Sequence, residues 1–172
     1  MIVEKILEHK KSKLRQWPVV SNRASELGHE CLRYLVFNRT RWQEKALPDP
    51  RLQIIFEEGD LHEQKVLRDI QEAGFRIVEQ QRPFEWKEFQ ITGHIDAKIL
   101  LNGKAMPLEI KSASPYTYNT INSAQDLYNG KYMYLRKYPA QMTLYLLMDN
   151  KEEGLFIFKN KVTGELKEIP MS

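Results

Sequence analysis

The spacing of apolar residues along the chain changes once, at Gly74. Before this residue, apolar side chains recur every three or four positions, a period that predicts helices. After it, short segments rich in β-branched and aromatic residues predict strands. We therefore expect three helices, over residues 2–16, 25–44 and 50–72. We also expect five strands, over residues 75–84, 89–101, 106–111, 155–159 and 165–169.

Turn and cap residues define several of these boundaries. Asp49-Pro50 suits the start of the third helix, and Gly74 suits the position just after its end. Asn102-Gly103 favours a tight hairpin between the second and third strands. Pro139 suits the first turn of a further helix that ends near residue 148. In the second helix we expect apolar side chains to face inward, namely Leu32, Leu35 and Val36.

The order of these elements indicates an α/β (α+β) domain with a mixed sheet flanked by helices. The chain has 172 residues and contains no repeat, low-complexity tract or linker. We therefore predict a single domain over 1–172, with a helical basic lobe at 1–48 and a core at 49–172.

Composition narrows the class of protein. Hydrophobic residues make up 42% and charged residues 28% of the chain, as in ordinary globular proteins. Its longest apolar runs are shorter than the roughly 20 residues of a membrane helix, and its first residues carry charge where a signal peptide is apolar. We expect a cytoplasmic protein with no membrane contact. Cys31 is the only cysteine, which excludes an internal disulfide, and we expect it to be buried on a helix.

Basic residues are concentrated at the start of the chain. Residues 1–45 hold ten Lys or Arg and five Asp or Glu, whereas the whole chain has a net charge of +3. Such a lobe suits contact with phosphates, and Arg33 is one candidate. The alternative is a helical surface that is simply rich in Lys and Arg, and charge alone slightly favours it.

Three residues carry candidate chemistry on neighbouring strands. Side chains alternate along a strand, so Glu109 and Lys111 share one face. This pair alone is more simply explained as an exposed ion pair. Asp96 lies six residues before Asn102-Gly103 and Glu109 six residues after it, so the hairpin register places the two carboxylates opposite each other.

Facing carboxylates destabilise a hairpin unless something compensates for their charge. A divalent cation does so, and Mg²⁺ prefers hard oxygen ligands and also contacts substrate phosphates. Lys111 is then placed to stabilise a phosphate transition state. The residue types therefore indicate phosphate chemistry.

His62 adds a further candidate on the third helix. It lies at helical spacing from apolar residues, so we expect it to project inward. A lone inward His is more often a core residue than a ligand, and both interpretations stay open on spacing alone. Glu58, one turn earlier, is a secondary candidate.

The later part of the chain contributes polar and aromatic candidates. Gln141 and Tyr145 share a face of an otherwise apolar helix, either to pack there or to organise a site. Between Tyr116 and Tyr138 lie six of the eight tyrosines, with Lys131 among them. This segment suits stacking on unpaired bases, and a loop packed by its own tyrosines is an equal alternative.

Taken in chain order, these features resemble the RecB-like branch of the PD-(D/E)XK nuclease superfamily. The motifs are His62, Gly93-His-Ile-Asp96, Glu109-Ile-Lys111 and Gln141-Met-Thr-Leu-Tyr145. They cover roughly residues 50–160, and each alone is weak whereas the ordered set is specific. The resemblance implies a restriction-endonuclease-like core.

The resemblance also implies residue roles. Asp96, Glu109 and His62 would be metal ligands together with the Ile110 carbonyl, and Lys111 would be the catalytic lysine. Gln141 and Tyr145 would support the site and contact DNA. The segment from Ser25 to Arg33 is similar to the start of the CRISPR-associated and phage exonucleases of this branch, where a cysteine binds an iron–sulfur cluster. The later cysteines are missing here, so we expect no cluster.

From these features we predict a DNA nuclease that uses Mg²⁺ or Mn²⁺ in repair, recombination or the processing of phage or mobile-element DNA. We favour an exonuclease, and an endonuclease stays open. Its partners would be single-stranded DNA or duplex ends and a separate helicase or recombination protein. A catalytically inactive nucleic-acid-binding module of the same fold is the alternative. A structural or assembly protein is a third, but it leaves the ordered motifs unexplained.

Overall fold

A six-stranded mixed sheet lies at the centre of the molecule, in a computed structural model that describes residues 1–172. Strands β1 to β6 span Asn22–Arg23, Arg76–Trp86, Ile91–Leu101, Lys104–Ala113, Gly154–Asn160 and Leu166–Met171. Helices α1 to α7 span Ile2–Lys13, Ala24–Leu27, Leu32–Thr40, Pro50–Glu72, Pro115–Thr120, Ala124–Tyr128 and Met133–Asp149. The predicted mixed sheet flanked by helices is confirmed. None of the helices has the length and apolar character needed to cross a membrane.

Strand β3 organises the sheet because three strands pair with it. The antiparallel strand β2 follows one edge of β3 from Ile91 to Leu100. On the other edge, β4 pairs antiparallel with residues 97–101, and β1 pairs parallel with Ile91 and Thr92. The sheet continues from β4 to a parallel β5 and an antiparallel β6. The edge of β3 between β1 and β4 therefore has no strand partner.

The two long helices cover opposite faces of the sheet. Buried side chains of α4, including Val66 and Ile70, pack in a cluster with Leu155 and Ile157. Buried side chains of α7 pack with Phe156 and Phe158, which alternate with the first pair along β5. Both helices reach the unpaired edge of β3, so this end of the sheet lies between them.

The start and end of α4 and the hairpin turn confirm the predicted boundaries. The Asp49 side chain accepts a hydrogen bond from the Arg51 backbone N–H, which caps the helix. Gly74, just after the end of the helix, has a φ of 88°, a conformation that favours glycine. Asn102 and Gly103 have φ values of 49° and 78°, the left-handed conformations of a type I′ turn. These elements are specified by residues close together in the chain.

The N-terminal lobe differs from the prediction. The first helix ends at Lys13, and the second predicted helix breaks into α2 and α3. A Cβ on Gly28 would lie 2.7 Å from the Lys137 Cα, so the break lets the chain pass close against α7. Helix α3 then buries no side chain, and the expected burial of Leu32 and Val36 is wrong because they are 75% and 54% exposed.

Two further expectations are wrong. Cys31 is exposed at the N-cap of α3, since the helix that was to bury it begins only at Leu32. Pro139 lies inside α7, which begins at Met133. The tyrosine-rich segment before it is largely helical and not a loop, because α5, α6 and the first turns of α7 occupy it.

Candidate active site

The β3–β4 hairpin brings the two predicted carboxylates together. Its paired residues run from Leu101 and Lys104 at the turn to Ala97 and Leu108. Continued by one residue, this register places Asp96 opposite Glu109, as the sequence predicts. Asp96 Oδ2 accepts a hydrogen bond of 2.8 Å from the Ile110 N–H. The carboxylate thus replaces a strand partner where the ladder ends.

Glu109 is fully buried but only half satisfied. Its Oε2 accepts hydrogen bonds from Lys111 Nζ at 2.6 Å and from Gln141 Nε2 at 3.3 Å. Its Oε1 is buried without any hydrogen-bond partner. Burial raises the pKa of Glu109 to about 7; the charge of Lys111 opposes this shift, and that of Asp96 adds to it. A buried acceptor without a donor is costly, so this oxygen calls for a cation or a proton.

Asp96 shares this environment. Burial raises its pKa, against the opposing effects of the Lys111 charge and the Ile110 N–H. Two adjacent carboxylates that are both reluctant to ionise form a site that favours a cation.

Lys111 is the positive charge of the site. Burial lowers the pKa of Lys111, but the charges of Glu109 and Asp96 outweigh burial and leave that pKa raised. Its Nζ lies 5.4 Å from the centre of the Tyr138 ring, and its side chain remains 21% exposed. The ammonium therefore stays charged at neutral pH and reaches the surface of the site.

A chain of hydrogen bonds connects α7 to the site. Gln141 Nε2 donates to Glu109 and, at 3.1 Å, to the Tyr145 hydroxyl. That hydroxyl donates to the His94 carbonyl at 2.8 Å, on the unpaired edge of β3. A Cβ on Gly93 would lie 2.6 Å from the Tyr145 ring, so the close approach requires glycine. The expected pairing of Gln141 and Tyr145 as site-supporting residues fits this geometry.

The strand pair around Asp96 has two unusual features. Ile95 packs in the cluster that contains Tyr145, whereas Ala97 packs in the cluster beneath α4, so the side-chain alternation of β3 breaks between them. Gln81, which the β2–β3 register places opposite Asp96, has a φ of 49°. This left-handed conformation is uncommon outside glycine and often marks a functional site.

Helix α4 presents Glu63 to the site, and not the predicted His62. The Glu63 carboxylate accepts a hydrogen bond of 2.7 Å from Gln81. Burial raises the pKa of Glu63, and the nearby charge of Asp96 adds to the shift. Sequence reasoning missed Glu63, although it follows His62 directly and lies four residues after Gly59.

His62 lies on the other flank of the same helix stripe. Burial lowers the pKa of its imidazole, with further contributions from Lys159 and Lys161 on the β5 side, while Glu58 opposes them. His62 lines neither of the cavities beside Asp96. Its role as a metal ligand stays a prediction. Glu58 is exposed and also lies outside these cavities.

Two predicted DNA contacts lie away from this centre. Arg33 is exposed on α3, and Lys131 is exposed before α7 with its Nζ 5.9 Å from the Tyr132 ring centre. Neither lines a cavity beside Asp96. Their role in binding DNA stays a prediction.

Two cavities open beside Asp96 and Glu63. One, of about 560 Å³, is lined on its far side by Arg23 and by three hydroxyl groups, those of Ser21, Ser25 and Thr92. The other, of about 640 Å³, is lined by residues of α7 and the β5–β6 turn, among them Tyr134, Lys137, Tyr138 and Lys161. Carboxylates thus occupy the centre, with cations and hydroxyls on either side.

The donor set fits a hard divalent cation bound partly by water and substrate. No three His, Cys, Asp or Glu side chains converge closely enough to hold a metal ion among themselves. Asp96 and the unpartnered Oε1 of Glu109 supply two oxygens, the number that Mg²⁺ often takes from protein carboxylates. The Ile110 carbonyl lies on the same strand edge as its N–H, which bonds Asp96. The predicted ligation by His62 has no support in this arrangement.

Comparisons with known proteins bear on the fold. No family model matches the sequence, and no curated protein does. The solved structure of SSO0001 matches with a TM-score of 0.57 and 20% identity over 100% of this chain and 78% of that one. An alkaline exonuclease from Laribacter hongkongensis, LHK-Exo, matches with a TM-score of 0.55 and 14% identity over 98% and 82%. This chain therefore shares its fold with these two solved structures.

The same exonuclease in complex with dAMP matches with a TM-score of 0.52 and 13% identity, over 98% of this chain and 83% of that one. At these identities the likeness concerns the fold. The predicted mixed sheet flanked by helices is confirmed, whereas the restriction-endonuclease-like core and the RecB-like branch stay predictions.

Proposed function

We propose that this chain is a metal-dependent DNA nuclease that hydrolyses phosphodiester bonds. The observation that carries the proposal is the buried, half-satisfied Glu109 beside Asp96 and Lys111 at an open sheet edge. The fold shared with an alkaline exonuclease supports it, and so does the nucleotide bound to that protein. The same likeness favours an exonuclease.

Asp96 and Glu109 would hold Mg²⁺ or Mn²⁺, with the Ile110 carbonyl as a third oxygen. When bound, such an ion neutralises phosphate charge and lowers the pKa of a coordinated water. Glu63 would orient water or complete the set, since Gln81 fixes its carboxylate at the cavity wall.

Lys111 would stabilise the negative charge that develops on the phosphate during cleavage. Glu109 and the Tyr138 ring hold its ammonium in place. Gln141 would keep Glu109 oriented, because it bonds the same carboxylate oxygen as Lys111 does.

The surrounding cavities suit a DNA backbone. Arg23 and the hydroxyls of Ser21, Ser25 and Thr92 are groups that bind phosphate oxygens. Lys161 would contact phosphates on the other side. The substrate would thus cross the site between α4 and α7.

An inactive nucleic-acid-binding module remains the second candidate. It accounts for the fold and the cations. It leaves unexplained why a buried carboxylate has an oxygen without a partner beside a second carboxylate and a charged lysine, an arrangement that costs stability unless it has a use.

Incubation with linear and circular DNA, single- and double-stranded, tests the proposal in Mg²⁺, Mn²⁺ or EDTA. We expect cleavage of linear DNA only with metal. Asp96→Asn, Glu109→Gln and Lys111→Met should each lower the rate on the order of a thousandfold. Lys104→Met and Glu168→Gln, both at exposed positions, serve as matched controls. Cleavage in EDTA, or an active Glu109→Gln protein, would refute the mechanism, and binding without cleavage would favour the inactive module.

A further inference from the structure

An aromatic groove of about 620 Å³ lies along the N-terminal lobe. Its walls carry four aromatic side chains, Trp17, Tyr34, Trp42 and Phe56. Trp17 and Phe56 are 70% and 59% exposed. An exposed groove that gathers several large aromatic side chains typically marks a binding site.

The groove is also positively charged. Arg15, Arg23 and Lys45 line it, and none of them forms an ion pair with a carboxylate. Glu26 is the single acidic residue in the lining, and Lys137 neutralises it at 3.2 Å. Three cations are thus available to a ligand that carries negative charge.

The groove leads into the candidate active site. Arg23 and Val19 line both the groove and the 560 Å³ cavity beside Asp96. Phe56 lines both the groove and the 640 Å³ cavity. A ligand lying along the aromatic side chains therefore approaches the carboxylates without leaving the surface.

The segment that carries Trp17 is held in place. The Gln16 side-chain amide donates to the Lys45 carbonyl, which ties this segment to the turn that follows Trp42. Lys45 Nζ in turn donates to Asn38 Oδ1 at 3.0 Å. Two of the aromatic side chains therefore sit on segments that are joined to each other.

We propose that this groove binds unpaired bases of a single DNA strand whose backbone continues into the active site. Bases stack on aromatic faces, and flanking cations contact the phosphates, which is how sequence-independent single-strand sites are built. An apolar peptide would bury the aromatic rings but leave three cations without partners. The inference rests on the proposed function, because it names the form of DNA that reaches the same site.

Binding of a fluorescently labelled oligothymidylate to the full-length protein in EDTA tests the proposal without cleavage. We expect Trp17→Leu and Phe56→Leu each to weaken binding on the order of tenfold. Trp17→Phe keeps an aromatic face and should retain most of the affinity. Phe75→Leu is the matched control, since Phe75 is an aromatic residue that is 48% exposed and lies outside the groove. Thermal melting of each variant verifies its fold.

Intrinsic fluorescence gives a second measurement. Two of the three tryptophans, Trp17 and Trp42, line the groove, whereas Trp86 packs edge-on against Phe89. The oligonucleotide should therefore quench the emission of the wild-type protein. Trp17→Phe should reduce this quenching, and a blunt duplex of equal length should cause less of it.

Wild-type affinity in both Trp17→Leu and Phe56→Leu would overturn the inference. So would variants that change only the self-association of the protein in sedimentation, because the groove would then be an interface between copies. Cleavage with metal alongside unchanged single-strand binding would reject the groove and keep the nuclease. Weakened binding in a protein that cleaves no DNA would support the groove and reject the nuclease.

Discussion

Asp96 and Lys98 stand two residues apart on β3, and each belongs to a cluster of charged side chains. Around Lys98 the charges balance: its Nζ lies 2.6 Å from Asp149 and 3.1 Å from Glu79, and Arg82 reaches Glu79 at 2.9 Å. Two cations thus meet two carboxylates, although Asp149 Oδ2, like Glu109 Oε1, is buried without a hydrogen-bond partner. The two clusters therefore differ in their balance of charge and not in the presence of an unpartnered oxygen. Hydrogen bonds from Arg82 and Lys98 lower the pKa of Glu79.

Around Asp96 the charges do not balance. Asp96, Glu109 and Glu63 meet one lysine, Lys111, and the pKa of each carboxyl group is raised, first of all by burial. Folding alone would favour a cluster like that around Lys98, because an uncompensated buried charge is costly. The excess of carboxylates fits the proposed function, in which a divalent cation would supply the missing charge after folding.

The same substitution in the two clusters should give opposite results. Lys98→Met leaves Asp149 buried without its main partner, and we expect it to lower the free energy of unfolding by about 3–5 kcal/mol. Lys111→Met should lower stability less, because Glu109, with a pKa of about 7, can take up a proton instead. Urea unfolding and cleavage assays measure both properties.

We expect folded Lys98→Met protein to cleave DNA near the wild-type rate and Lys111→Met protein to remain folded but inactive. The comparison fails if Lys98→Met abolishes cleavage in molecules that are still folded. It also fails if Lys111→Met is the more destabilised of the two.

The pH dependence of the unfolding free energy of the metal-free protein should also distinguish the two clusters. A carboxyl group whose pKa rises on folding keeps its proton when the unfolded chain has lost it, so stability falls as pH rises. For Glu109 this window runs from 4.5 to about 7, and the loss amounts to about 3 kcal/mol. Glu79, with a lowered pKa, acts in the opposite direction and loses its contribution as pH falls below its usual value.

Unfolding free energies in EDTA between pH 4 and pH 8 measure this effect. The unfolding free energy of the wild-type protein minus that of Glu109→Gln should decline across this pH window. The same difference between the wild-type protein and Glu79→Gln should rise with pH. A Glu109→Gln protein with the wild-type pH profile would show that this carboxylate is not buried in the protonated form.

Local sequence patterns predicted the hairpin of the site and its register. Asn102-Gly103 fixes the turn, and counting from it places Asp96 opposite Glu109 without any knowledge of the rest of the chain. The limits of α4 follow equally from Asp49-Pro50 and Gly74. These features depend on residues that are neighbours in the chain.

Features that depend on distant contacts escaped the prediction. The break at Gly28 exists because α7 passes close by, and α7 lies more than a hundred residues later. The left-handed Gln81 lies on β2 opposite Asp96 of β3, so this feature involves two segments that are separate in the chain. Strict alternation along a strand predicts that Ile95 and Ala97 share one face, whereas they pack in different clusters.

Whether His62 or Glu63 faces the two carboxylates also depends on distant contacts. Both lie on the buried stripe of α4, and spacing alone cannot tell which flank turns towards β3. The Gln81 hydrogen bond and the effect of Asp96 show that Glu63 does. Helical periodicity places the buried stripe of α4 only to within one residue. Here that one residue changes the candidate ligand atom from the imidazole nitrogen of His62 to a carboxylate oxygen of Glu63.

The smallest expected effect tests this assignment. Mn²⁺ and Mg²⁺ should raise the melting temperature of the wild-type protein, since a ligand that binds only the folded state stabilises it. Glu63→Gln should weaken the apparent affinity for either ion on the order of tenfold. His62→Ala should leave both affinities unchanged, because the imidazole lies on the β5 side near Lys159 and Lys161. Glu58→Gln, an exposed carboxylate on the same helix, is the control. A nitrogen ligand would favour Mn²⁺ over Mg²⁺. The assignment is therefore contradicted if His62→Ala protein binds Mn²⁺ more weakly while its affinity for Mg²⁺ is unchanged. That result would place His62 in the metal site instead of Glu63.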